Sequence, residues 1–197
     1  MIGLEYILNL YGVQHQVLAE KLGIRKQNIN LWIKGKQNIS KKYLPILSDH
    51  FDLPQDLFQK ELTEIDQLII QKEKLKKEAV IIGYQQQLSL EPETEVDIIE
   101  VPLYSSKEIN KVGFEIEKAK VLQGFREVLA PLKKNYELAL FQQLLILFKE
   151  HGDEPLLRYM IEGISHYYDV LPDWVGEPES DDFVEEFIEL VNKYFER

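Results

Sequence analysis

Residues 14–35 read QHQVLAEKLGIRKQNINLWIKG, and their spacing predicts two short helices that cross at a tight turn. Leu18, Ala19 and Leu22 form the inner stripe of the first helix, with Ala19 small where the second helix must cross closely. Gly23 supplies the turn, because a residue without Cβ reaches positive φ at no steric cost. Ile24, Ile29 and Trp32 face inward from the second helix, Ile29 and Trp32 lying three apart on one face. That leaves Arg25, Lys26, Gln27, Asn28 and Asn30 outside, and all five side chains can donate hydrogen bonds. A merely solvated helix face is the plainer reading. It predicts fewer cations and amides on one helix and the loop after it. Trp32 reads as a core residue, not as a platform on which bases stack.

The segment resembles the XRE family, the helix-turn-helix of the phage lambda Cro and repressor type. The family pattern is LAxxLG(I/V), a polar run, Ile, two residues, Trp, two residues and Gly, and the resemblance covers roughly residues 3–60. His15 stands where the family often has Gln, flanked by Gln14 and Gln16, and Ile33 stands where it often has Glu. The resemblance implies a compact five-helix domain whose second motif helix enters the major groove of double-stranded DNA. It implies base contacts from Lys26, Gln27 and Asn28, since Gln and Asn can bind adenine N6/N7 bidentately and Lys can reach guanine O6/N7. It also implies phosphate contacts from His15, Gln16, Arg25, Asn30, Lys34, Lys36, Asn38, Lys41 and Lys42, which set register.

Charge distribution divides the chain. Residues 1–48 hold seven basic side chains against two acidic ones, although the chain as a whole carries −11. The remainder therefore holds an excess of sixteen acids. A basic head can face phosphates, whereas an acidic body repels them, which disfavours wrapping DNA around the whole protein. There are no cysteines, so disulfides, thiol catalysis and Cys-containing zinc sites are excluded, and a reducing cytoplasmic setting is expected. No apolar run approaches the ~20 residues that span a bilayer, and MIGLEYILNLYG lacks the basic start of a signal peptide. The expectation is a cytoplasmic protein without a membrane partner.

The expected fold is all-α: an N-terminal five-helix helix-turn-helix domain, a long connecting helix and a C-terminal helical oligomerisation domain. Residues 1–60 form the DNA-binding domain, with Ser40 as N-cap of a fourth helix burying Leu44, Leu47 and Phe51, and Asp52-Leu53-Pro54 opening a fifth. Residues 61–87 read as one long helix, on which Leu62, Ile65, Ile69, Leu75, Ala79 and Ile82 make nearly a heptad seam broken by Lys72. That seam packs either onto the chain's own C-terminal part or against a second copy as a dimer helix. Operators present two half-sites about one helical turn apart, which tilts the reading toward the dimer. Residues 88–104 are the linker, acidic and carrying Pro92 and Pro102, with a weak strand signal at Val96–Val101.

Residues 105–197 read as an effector or oligomerisation domain of about four helices. Ser105-Ser106-Lys107-Glu108 matches a capping box, residues 135–150 look like a buried central helix, Asp153 caps the next, and Ser180-Asp181-Asp182 opens the last. The aromatic group Tyr159, Tyr167, Tyr168, Trp174, Phe183, Phe187, Tyr194 and Phe195 suits a core or interface better than a pocket for a protein or peptide effector. His166 and Asp169 are the one His–acid pair at metal-ligand spacing, and surface chemistry suits them better, so neither metal nor cofactor is expected. Val101-Pro102-Leu103 with Ser105 and Ser106 is faintly similar to the start of a self-cleaving serine–lysine domain. Such a domain is rich in strands and glycine, whereas residues 106–197 read as helical, and no nucleophile–base constellation supports an enzyme. The function expected is a transcriptional regulator of a phage, plasmid or other mobile element: a repressor acting as a dimer or tetramer. The alternative is an antirepressor, antitoxin or adaptor whose acidic domain binds a protein.

Overall fold

The computed structural model describes residues 1–88, 98–170 and 181–195. They fall into two compact units, Met1–Glu127 and Val128–Arg197, each described by itself below. The described residues are mostly helical, with one two-stranded sheet.

The first unit opens with α1 (Gly3–Tyr11), α2 (His15–Lys21), α3 (Lys26–Ile33) and α4 (Leu44–Phe51), followed by a single 3-10 turn at Gln55–Phe58. Leu4, Ile7 and Leu8 of α1, Leu18 and Ala19 of α2, Ile29 and Trp32 of α3, and Leu47 and Phe51 of α4 are all buried in one core. These are the positions that the 3.6-residue period assigns to the inner faces. Tyr11 stacks edge-on against Phe51 at 5.1 Å and its hydroxyl donates to the Phe51 carbonyl at 3.4 Å. The fourth helix starts later than the sequence suggests. Ser40 does not cap it: residues 40–43 form a turn in which the Tyr43 N–H donates to the Ser40 carbonyl at 2.8 Å, and Pro45 sits in the first helical turn. α4 closes through Asp52 at φ 57°, with the Leu53 N–H reaching back to Ser48 at 3.2 Å. The expected fifth helix is only the 3-10 turn, which still buries Leu57 and Phe58.

The chain termini of this head meet. The Gly3 N–H donates to the Lys60 carbonyl at 2.9 Å and the Leu62 N–H donates to Met1 at 3.2 Å. A Cβ at Gly3 would strike the Leu57 carbonyl, so no larger residue fits there.

α5 (Glu64–Glu78) begins at a capping box the sequence reading overlooked. The Thr63 hydroxyl accepts from the Asp66 N–H at 3.2 Å, and Asp66 accepts from the Thr63 N–H at 2.9 Å. Burial alone would push the Asp66 carboxyl up, but the Lys60 ammonium at 2.9 Å and the Thr63 bonds outweigh it and hold the carboxyl below the usual range. α5 then lies against the head: Ile70 is fully buried in the same core, and Gln71 donates to the Tyr6 hydroxyl at 2.7 Å.

Here the long helix expected over 61–87 is corrected. It ends at Glu78, because Ala79 takes extended φ, ψ values (−88°, 153°), and β1 (Ile81–Leu88) follows. The run Val80-Ile81-Ile82 is β-branched, which favours a strand over a helix turn. Ala79 and Ile82 therefore leave the proposed seam, and Ile82 is exposed. Leu62 packs on the head, and Ile65, Ile69 and Leu75 are half-buried within their own chain. The linker is corrected too, since β2 (Ile98–Tyr104) pairs antiparallel with β1 in the register Ile81↔Tyr104 to Leu88↔Ile98, not with a symmetry mate. Residues 89–97, including Pro92, lie outside the described residues. α6 (Lys107–Leu129) runs on from the hairpin, burying Ile109 and Ile116, and its Gly113 lies beside the Lys72 side chain. It starts at Lys107, so Ser105 and Glu108 do not stand in a capping-box relation.

The second unit holds α7 (Asn135–His151), α8 (Pro155–Tyr167) and α9 (Asp181–Phe195). α8 and α9 pack together where Gly163, the buried residue of α8, lets the Phe187 ring approach. Glu154, not Asp153, is the N-cap of α8, and it makes no side-chain cap bond. The expectation of a buried central helix over 135–150 is overturned: α7 has no buried residue.

Candidate nucleic-acid interface

The turn between α2 and α3 is fixed by backbone bonds before any side chain contributes. Gly23 stands at φ 63°, its N–H donates to the Glu20 carbonyl at 3.1 Å, and the Ile24 N–H reaches Ala19 at 2.9 Å. This is the Schellman closure, with Ile24 folded onto the core behind it. A Cβ at Gly23 would meet nothing, so the glycine is required by backbone conformation, not by space.

α3 is clamped from beneath by Ile29 and Trp32, and Trp32 stacks on Tyr43 at 5.5 Å. Its outward surface is what remains. Arg25, Lys26 and Gln27 are exposed, and Asn28 is half-buried. Gln27, Leu31 and Lys34 recur at i, i+4 and i+7 and form one exposed row along the helix. Leu31 was missed in the sequence. It is more than a third exposed (37%), on a helix otherwise presenting polar groups. The available signal was angular: it stands two positions from Ile29, on the opposite side of the helix.

The other positions separate into two groups. Lys34, Lys36, Asn38, Lys41 and Lys42 lie on exposed backbone after α3. Buried Ile39, whose N–H donates to the Gln59 side chain at 3.0 Å, pins the middle of that loop. Lys42 lies over the Tyr43 ring at 4.6 Å. His15 and Asn30 instead meet each other, Nδ1 to Oδ1 at 3.0 Å, and Gln16 donates to Glu20 at 2.8 Å. Three of the side chains assigned to phosphate by resemblance therefore already hold protein partners.

A basic surface continues behind the motif. Lys21, ending α2, donates to Nδ1 of His50 at 2.7 Å. Burial, then Lys21 and Lys77, push the His50 imidazole below its ordinary value of 6.5, so it stays a neutral acceptor.

Among the described residues no group of three or more His, Asp or Glu side chains could hold a metal, and no helix is long and apolar enough to cross a membrane. The His166–Asp169 pair is a helix end, the Asp169 N–H donating to the His166 carbonyl at 3.1 Å. Of the C-terminal aromatics, Tyr168 and Tyr194 are exposed, and Trp174 lies outside the described residues.

Residues 4–58 match the helix-turn-helix family model HTH_3. No curated protein and no solved structure matches the chain. The head is thus an XRE-type helix-turn-helix domain, a domain of DNA-binding regulators and not of an enzyme family. The protein is a DNA-binding transcriptional regulator.

Proposed function

We propose that the protein is a repressor that binds an inverted-repeat operator as a dimer or a pair of dimers. The single observation that carries this reading is the row Gln27, Leu31 and Lys34 on a helix whose pitch is fixed from below, with Lys26 beside it and a lysine-rich loop behind. Gln27 reads adenine, Leu31 meets a thymine methyl group, and Lys26 divides its contacts between guanine and phosphate. Lys36, Lys41 and Lys42 hold phosphates, and Asn28 supports recognition from the margin of the helix. The acidic body keeps DNA on the head alone and assembles the oligomer. Such a regulator fits a phage, plasmid or other mobile element, inside the cytoplasm.

The test is selection of bound DNA from a random library by the full-length protein. A palindromic motif supports the repressor reading and its spacing gives the arrangement of the heads. Folded protein that enriches no motif at low salt would make the head an adaptor. In that case an antirepressor or antitoxin role, with the acidic C-terminal region holding a basic partner protein, becomes the better account.

A further inference from the structure

Among the described residues β1 and β2 form a sheet of two strands, so each strand has an outer edge that pairs with no other strand there. A two-stranded hairpin is marginal on its own and gains from a further strand. The two edges differ. β2 carries Glu100 and Pro102, residue types that keep further strands from adding to an edge. β1 carries neither: residues 79–90 hold no charge and no proline, although 29% of the residues in the chain are charged. The bulge between Ile81 and Gly83 lies at the base of β1 and leaves Gly83 to Leu88 in unbroken register with β2.

Pro102 also decides which groups β1 presents. It stands opposite Tyr84, and a proline keeps its place in a ladder by turning its nitrogen outward. Opposed residues of an antiparallel pair either both bond each other or both face away. Tyr84 and, by alternation, Gln86 therefore aim N–H and C=O groups away from β2, to an edge where they need partners.

A second copy of β1 suits that edge. Laid antiparallel about a twofold through Gln85, it sets Tyr84 against Gln86 of the second copy, and no charge meets a like charge along residues 79–90. α5 is anchored in the core of the head by Ile70, and only Ala79 and Val80 separate it from β1. Two joined β1 strands hold two heads about one twofold axis, as an inverted repeat requires.

We infer that the outer edge of β1 is the interface between copies, pairing antiparallel with β1 of a second copy to make a four-stranded sheet. The inference rests on the reading of the protein as an oligomer and places its contact on β1 instead of α5.

The experiment is sedimentation velocity of the full chain without DNA, from submicromolar to tens of micromolar. The wild-type chain of 23.2 kDa should sediment at twice that mass or a higher multiple. Gln85→Lys and Gln85→Glu should each weaken association at least tenfold, since two like charges then meet across the twofold. Mixing the two variants in equal amounts should restore it. Within the hairpin Gln85 stands opposite Val101, so neither charge meets another there. A second measurement needs no variant: amide exchange at Tyr84 and Gln86 in the wild type should slow as concentration rises through the association range. A monomeric wild type, folded variants that associate as the wild type does, a mixture of folded variants no better than its parts, or amide exchange indifferent to association would overturn the proposal. Gln27→Ala should leave the mass unchanged, so a failure of DNA recognition and a failure of this interface are told apart on the same samples.

Discussion

Nδ1 of His15 lies 3.0 Å from Oδ1 of Asn30, which ties the first residue of α2 to the middle of α3. With the proton on Nδ1, the ring donates to the amide oxygen. The two groups are already engaged with each other, so the contribution expected of them to DNA binding is positional. His15→Ala and Asn30→Ala should each weaken operator binding, and the double variant should be little worse than either. A double-mutant cycle should give a coupling of about 0.5–1.5 kcal/mol. Strictly additive losses would mean that the two side chains hold phosphates separately.

Gln27 and Lys41 should fail in different ways. Gln27→Ala should cost about 1–3 kcal/mol at the cognate site and relax preference at one position. Leu31→Ala should weaken discrimination only where a thymine methyl is read. Lys41→Ala should weaken all sequences alike and lower the slope of log K against log salt by about 1. Binding titrations on cognate and scrambled duplexes at several salt concentrations separate these outcomes. A salt slope unchanged by Lys41→Ala would remove that residue from the phosphate set.

Two glycines of the head are constrained by different physics. Gly23 has open space around it but positive φ, so Gly23→Ala should cost only about 1–2 kcal/mol of stability. At Gly3 an added methyl collides with the backbone carbonyl of Leu57, which cannot swing aside as a side chain could. Gly3→Ala should cost more, above about 2 kcal/mol. Urea unfolding of the two variants gives the order, and a milder Gly3→Ala would mean that the 3-10 turn yields easily.

The head was legible because its signals are local. Leu18, Ala19, Gly23, Ile29 and Trp32 sit at fixed spacings, and each does in the fold what its spacing predicts. The connecting helix was misread because the periodic pattern of Leu62 to Ile82 continues through Val80-Ile81-Ile82, where β-branching prevails over period. The buried residue of α5 is Ile70, next to a seam position, since the partner is α1 of the same head and not a second helix of equal length. α7 was misread for a different reason. Apolar composition shows that a helix must be covered, and composition cannot say whether the cover comes from the same chain. In the candidate interface, Leu31 and the His15–Asn30 bond escaped notice because both depend on how α2 and α3 are placed in three dimensions.

Acid should loosen the head through His50. Its folded pKa lies below 6.5, chiefly through burial and then through Lys21 and Lys77. Between that folded value and 6.5 the unfolded chain binds more protons, so stability rises with pH across this window. The contribution is therefore complete above about pH 7 and is lost as the pH falls through 6.5 toward the folded value. Asp66 acts in the opposite range, its support persisting until the pH drops below 3.8 and through its own lowered value. Thermal unfolding measured from pH 7 to 5 should show the midpoint falling, and His50→Gln, which keeps an acceptor for Lys21, should flatten that fall. An equal slope in the variant would assign the titration to another group.

The smallest self-sufficient head should end after α5, not before it. Residues 1–60 contain the whole HTH_3 match yet lack Leu62, which packs on the core, and Ile70, which is fully buried in it. They also lack the Gln71 side chain that donates to Tyr6 and the Asp66 carboxylate that holds Lys60. Losing a buried isoleucine commonly costs about 2–5 kcal/mol, a large share of the stability of so small a domain. A fragment of residues 1–79 should therefore unfold cooperatively and retain weak DNA binding, since it keeps every residue of the interface and lacks the acidic body proposed to assemble the oligomer. Residues 1–60 should be partly unfolded at the same temperature. Far-ultraviolet circular dichroism on heating distinguishes them, and equal midpoints for the two fragments would show that α5 decorates the head without completing its core.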